Sequence, residues 1–135
     1  MIRSRMPDKA KARSMLTAAV TDMRFVEKLP VTSESTLSII RGVYEDFRML
    51  GDALLTAGGS EAEGIDHHFE MINALMKLQT KAPRSLLVLH ELRKLRHKIN
   101  YQGYIPTEDE AKYALSIKEA LWLPVLEEVK KSVDK

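Results

Sequence analysis

Residues 35–59, STLSIIRGVYEDFRMLGDALLTAGG, decide the fold. Leu37, Ile40, Val43, Phe47, Leu50 and Leu54 recur at three- and four-residue intervals, the spacing that lines one side of a 3.6-residue helix. Ser33 or Ser35 ahead of the run can cap the orphan amides of a first turn, and Gly58-Gly59 supplies the stop. A long helix with one apolar stripe is stable only when other elements cover that stripe, and the flanking sequence offers more helices.

Toward the N terminus, about Asp8 to Leu29, the residues Ala12, Met15, Leu16, Ala19, Met23 and Val26 form a second stripe at helical spacing. Past the polar loop Gly58–Gly64, a third helix is expected from about Asp66 to Thr80, with Asp66 as N-cap and Phe69, Ile72, Leu75 and Leu78 as its apolar side. A fourth is expected from Pro83, well suited to a first helical position, to about Asn100. The fifth opens on Thr107-Glu108-Asp109-Glu110, a capping box in which Thr107 serves the Glu110 amide and Glu110 reaches back. Pro124 lies inside this last helix, where a kink near residues 121–125 is expected. No sustained period-two run competes, so no strand is expected. The fold class is all-α, an antiparallel up-and-down bundle of about five helices in a single domain over residues 1–135.

The composition agrees with one buried core: 44% of the 135 residues are hydrophobic and 30% are charged, values of a globular chain and not of a disordered one. There is no cysteine, hence no disulfide, thiolate metal site or cysteine nucleophile. No apolar stretch approaches the roughly 20 residues that span a bilayer, and no apolar segment follows the charged start. The expectation is a cytoplasmic protein with no membrane association. The net charge is only +2, but residues 1–13 and 81–98 are basic while residues 105–135 lean acidic. Either solvated helix faces balance one another, or a basic face binds phosphate.

The densest chemistry is Arg93-Lys-Leu-Arg96-His97-Lys-Ile-Asn100-Tyr101-Gln-Gly103-Tyr104. On a helix Arg93, His97, Asn100 and Tyr104 follow one polar stripe, with Arg96 and Asn100 paired beside it. Guanidinium groups bind phosphate oxygens in a bidentate fork, and imidazole moves protons near neutral pH. Tyr101 and Tyr104 can stack on bases or donate to phosphate. Basic residues at a helix C-terminus also complement its dipole without further role.

Across about residues 8–132, including Arg41–Leu55, Asp66-His-His68 and Leu95-Arg-His-Lys-Ile-Asn-Tyr101, the chain resembles the HEPN family of small helical bundles. Active members of that family place an Arg, a polar residue and, four to six positions on, a His at the end of this helix. They form a metal-independent ribonuclease site across a homodimer. The resemblance assigns Arg96 to the motif Arg and His97 to the polar residue, with Tyr101 standing where the family has His. Tyrosine, with an ordinary pKa near 10, is a poor general base at pH 7 but can donate or orient. Arg93 with His97 leaves one residue too few between them for the motif. Arg84 with His90 fits the count but lies on opposite sides of a helix.

The resemblance implies a homodimer and RNA or nucleotide binding at Arg96, His97 and Tyr101, and the polar stripe adds Arg93, Asn100 and Tyr104 as binding residues. Arg96, His97 and Tyr101 would be the catalytic set of a ribonuclease of toxin–antitoxin type. The alternative, second to this, is a catalytically inactive interaction subunit that pairs with a minimal nucleotidyltransferase or another partner. No metal site is expected: Asp66-His67-His68, His90 and His97 lack a metal-ligating spacing, and no cofactor is implied. Met6, Met15, Met23, Met49, Met71 and Met76 read as packing. Trp122 either closes the bundle or anchors a subunit interface.

Overall fold

The computed structural model describes residues 1–135. It contains the helices α1 (Lys9–Val26), α2 (Thr36–Ala57), α3 (His67–Leu75), α4 (Val88–Gln102) and α5 (Glu108–Val133), and two three-residue strands, β1 (Ile2–Ser4) and β2 (Ser60–Ala62). The all-α helical bundle is as the periodicity requires, with α2 at its centre and every other helix packed on it. Ile39, Ile40, Val43, Tyr44, Phe47, Leu50 and Ala53 of α2 are fully buried. Trp122 closes the bundle: it is 5% exposed and meets Phe47 edge to face at 5.2 Å.

Side-chain pairs fix the helix directions. Arg41 meets Asn100 and Glu45 meets Arg96, so α2 and α4 run antiparallel. Arg13 meets Asp134 and Glu27 meets Lys118, so α1 and α5 do too. α3 runs with α2, because residues 58–66 carry the chain back before it starts. His68 then lies beside Tyr44, and Met71 beside Gly51. A Cβ on Gly51 would sit 1.9 Å from the Met71 carbonyl oxygen, so only glycine permits this approach.

That return path makes the strand absent from the periodicity. β2 pairs antiparallel with β1 in the register Ile2–Ala62, Arg3–Glu61 and Ser4–Ser60. Arg3 then reaches Glu63 at 3.0 Å and Arg5 pairs with Glu61. With Arg13 on Asp134 at 3.4 Å, much of the first basic zone is matched by carboxylates, which leaves the α4 zone as the better candidate for an anion surface. Met6, expected in the core, is 88% exposed at the end of this arm.

The helix ends also refine the sequence reading. α3 stops at Leu75, not Thr80, because Met76 and Leu78 close i−3 turns on Asn73 and Leu75. α4 begins at Val88, not Pro83: the Ser85 hydroxyl accepts from the Leu87 amide, and Val88, Leu89 and His90 enter through i−3 bonds. α4 extends through Gln102, with Gly103 at φ 64° taking the left-handed cap and Tyr104 N–H returning to the Lys98 carbonyl. The Thr107–Glu110 capping box is formed in full. Ser35 and Asp66 occupy N-cap positions without capping: the Ser35 hydroxyl donates to the Pro30 carbonyl, and the Asp66 carboxylate meets the Met1 ammonium at 3.1 Å. α5 continues through Pro124 as one helix. No helix is long and apolar enough to cross a membrane.

Candidate functional site

Leu89, Leu92 and Ile99 anchor α4 to the core, and its polar side chains leave the helix in separate directions. Toward α2, the Asn100 Oδ1 accepts from Arg41 Nε at 3.0 Å. One turn earlier, Arg96 Nη2 lies 3.5 Å from Glu45 Oε1, with its guanidinium 5.5 Å above the Tyr44 ring. Toward α3, Arg93 Nε donates to His90 Nδ1 at 3.3 Å and its guanidinium lies 5.4 Å from the Phe69 ring. His97 and Tyr101 point to solvent together, their rings 4.5 Å apart, and Tyr101 is 70% exposed.

Tyr104 leaves the expected stripe altogether. Its phenol donates to Glu110, the carboxylate that closes the α5 capping box, while Lys98 Nζ sits 4.2 Å above its ring. That bond holds the Tyr104 phenol above its ordinary value. Tyr104 therefore locks the α4–α5 turn, and the left-handed bend at Gly103 is what turns it away from Tyr101. Arg96, Asn100 and Arg93 face the α2–α3 side, and His97 and Tyr101 form an outer pair.

The α2–α3 side brings in residues the sequence reading did not assign: Arg41, Tyr44, Glu45, Arg48 and His68. Arg48 Nε donates to Glu45 Oε2 at 2.8 Å, its Nη1 reaches the Met71 Sδ at 3.1 Å, and Asp52 lies 3.9 Å away. Beneath them Tyr44 and His68 share a hydrogen bond of 2.7 Å. Burial, then Glu45, pushes the Tyr44 phenol up to about 12. Burial, then Arg96, brings His68 down to about 4, so both partners are neutral at pH 7. The available signal was the polar series Arg41, Glu45, Arg48 at helical spacing on α2, set off from its apolar stripe.

Four guanidinium groups thus stand along this seam, from Arg41, Arg48, Arg93 and Arg96, and of these only Arg48 and Arg96 meet carboxylates, those of Glu45 and Asp52. His67 and His68 pack edge to face at 4.4 Å, and no group of three His, Asp or Glu side chains comes together in a way that could hold a metal ion. On the α1 side of α2, Asp46 is 3% exposed and its Oδ2 has no partner. Burial, then neighbouring Asp22, pushes its carboxyl up to about 9.

No family model matches the chain, and neither a curated protein nor a solved structure matches it.

Proposed function

We propose that this chain is a HEPN-like helical bundle that binds RNA or nucleotide on the outer face of α4 and the adjoining α2 seam. The observation that carries the reading is the exposed Tyr101–His97 ring pair on the α4 end that also carries Asn100, whose neutral amide is the one hydrogen-bond partner of Arg41. An exposed phenol offers a stacking surface for a base, and a guanidinium with no carboxylate partner at the same helix end offers a phosphate contact. Arg93 and Arg96 extend the positive potential along the strand path.

The resemblance brings with it a homodimer and metal-independent cleavage. Within one subunit Arg96 turns to Glu45 and Tyr44 while His97 turns to solvent. In this reading the phosphodiester cleft is formed by two α4 ends, with Arg96 stabilising the phosphorane charge and His97 carrying the proton. Tyr101 would orient the reacting oxygen. The second reading, a silent subunit paired with a nucleotidyltransferase, draws on the exposed apolar surface of Tyr101 and Ile105, the latter 76% exposed.

The test is fluorescence anisotropy with single-stranded RNA over a salt series, followed by metal-free cleavage of end-labelled RNA, for wild type, Arg96→Ala and His97→Ala. Salt-sensitive binding weakened by Arg96→Ala supports the RNA reading. Products ending in 2′,3′-cyclic phosphate that both substitutions abolish would make it a ribonuclease. Absence of RNA binding by folded wild type, with stable association to a nucleotidyltransferase-like chain, decides for the silent subunit.

A further inference from the structure

Glu45 lies between two guanidinium groups and satisfies only one of them. Its Oε2 accepts from Arg48 Nε at 2.8 Å, but its Oε1 stands 3.5 Å from Arg96 Nη2 and makes no hydrogen bond. Arg96 Nε is buried without an acceptor. Arg48 directs Nη1 at a thioether, a weak acceptor, with Asp52 at a distant 3.9 Å. Two cations with side chains only 16% and 19% exposed thus share a carboxylate too short to serve both, and buried guanidinium donors left without acceptors are costly.

We propose that Arg48 and Arg96 form a seat for a phosphoryl group, occupied in the free protein by the Glu45 carboxylate, which must leave when phosphate binds. The inference rests on the RNA or nucleotide reading and assigns its anion contact. A phosphoryl group presents tetrahedrally arranged oxygens and can take both guanidinium forks at once, where a carboxylate with two coplanar oxygens cannot. The cations are the packed members: Arg96 lies over the Tyr44 ring, and the Arg48 and Arg96 side chains are both largely buried between α2, α3 and α4. The anion is the movable member, since the Glu45 side chain is 35% exposed and is held only by these two arginines. Tyr44 and His68, neutral and joined at 2.7 Å, form the floor and add no competing charge.

The test is calorimetric titration of inorganic phosphate into wild type and Glu45→Gln at constant ionic strength, with chloride as the reference anion. Glu45→Gln keeps the shape and removes the competing charge, so phosphate should bind at least about tenfold tighter. The gain should vanish in Glu45→Gln/Arg48→Gln. Unchanged or weaker phosphate binding by folded Glu45→Gln, or an equal gain for chloride, overturns the seat. In unmodified protein, phosphate should shift the NMR resonances of the Glu45 carboxyl carbon and of Arg48 and Arg96 Nε. Silence at all three also overturns it.

A preference for a 5′-phosphorylated over a 5′-hydroxyl oligoribonucleotide would place a terminal phosphate in the seat. Equal affinity for the two, with both weakened by Arg48→Gln, would place an internal phosphodiester there. If Tyr101→Ala weakens RNA binding while Glu45→Gln leaves phosphate affinity unchanged, the seat fails alone. If neither Tyr101→Ala nor Arg41→Ala alters RNA affinity, the RNA reading fails.

Discussion

The phenolic oxygen of Tyr44 lies 2.7 Å from Nδ1 of His68, and the two rings stack with their planes 10° apart. This pair ties α3 to α2 and ties stability to pH. His68 has a pKa of about 4 in the fold, lowered by burial and then by Arg96, against about 6.5 for a free histidine. Its contribution is complete above about pH 6.5 and is lost as pH falls toward 4, because the unfolded chain takes the proton more readily. The melting temperature of wild type should therefore fall more steeply between pH 6.5 and 4.5 than that of His68→Gln, followed by circular dichroism. Parallel slopes would sink the assignment.

Asp46 works in the opposite sense. Burial, then Asp22, raises its carboxyl to about 9 in the fold, against about 3.9 in the unfolded chain. Its contribution is complete below about pH 4 and erodes as pH rises toward 9, where ionising a buried carboxyl opposes folding. Asp46→Asn should raise the melting temperature at pH 8 by about 4 °C or more, and the gain should shrink toward pH 4. A constant difference across that range would show that the carboxyl is not protonated in the fold. In wild type the Asp46 and His68 slopes oppose each other, so only the variants separate them.

The bundle was legible in the sequence because its information is periodic. Leu37 to Leu54, the Ala12 to Val26 stripe and the Thr107–Glu110 box each carry a local signature that packing obeys. What periodicity could not carry was direction. The return of residues 58–66, which sends α3 along α2, depends on β1 pairing with β2 and on Gly51 admitting the Met71 carbonyl. The site followed the same division. Arg93, Arg96, His97 and Asn100 were visible as a dense polar run on one helix. Their partners Arg41 and Glu45, and the His68 that meets Tyr44 beneath them, became neighbours only through tertiary packing, and Tyr104 was lost to Glu110 through the bend at Gly103.

Gly51→Ala should be among the most damaging single-methyl substitutions in the chain. The new Cβ would meet the Met71 carbonyl oxygen at 1.9 Å, and backbone atoms of two packed elements cannot rotate aside as a side chain can. A loss of about 2–4 kcal/mol is expected from urea unfolding. Gly42→Ala is the matched control, since its Cβ would meet a Val26 methyl at 2.5 Å, which a small helix shift or a new rotamer relieves. Equal losses for the two would mean that α3 does not pack on α2 through Gly51.

Tyr101→Ala isolates binding from folding. The side chain is 70% exposed and its one aromatic neighbour is His97, so unfolding free energy should change by no more than about 0.5 kcal/mol. If a base stacks on the phenol, RNA affinity should fall by about 1–3 kcal/mol, roughly five- to 150-fold. The slope of log affinity against log salt should not move, because no charge is lost. Arg41→Ala should do the reverse on the second count, reducing that slope by about 1 as one phosphate contact disappears. Anisotropy titrations at several salt concentrations read both quantities together. A Tyr101→Ala protein that binds RNA like wild type would remove stacking from the mechanism, and an unchanged slope for Arg41→Ala would remove the phosphate contact beside it.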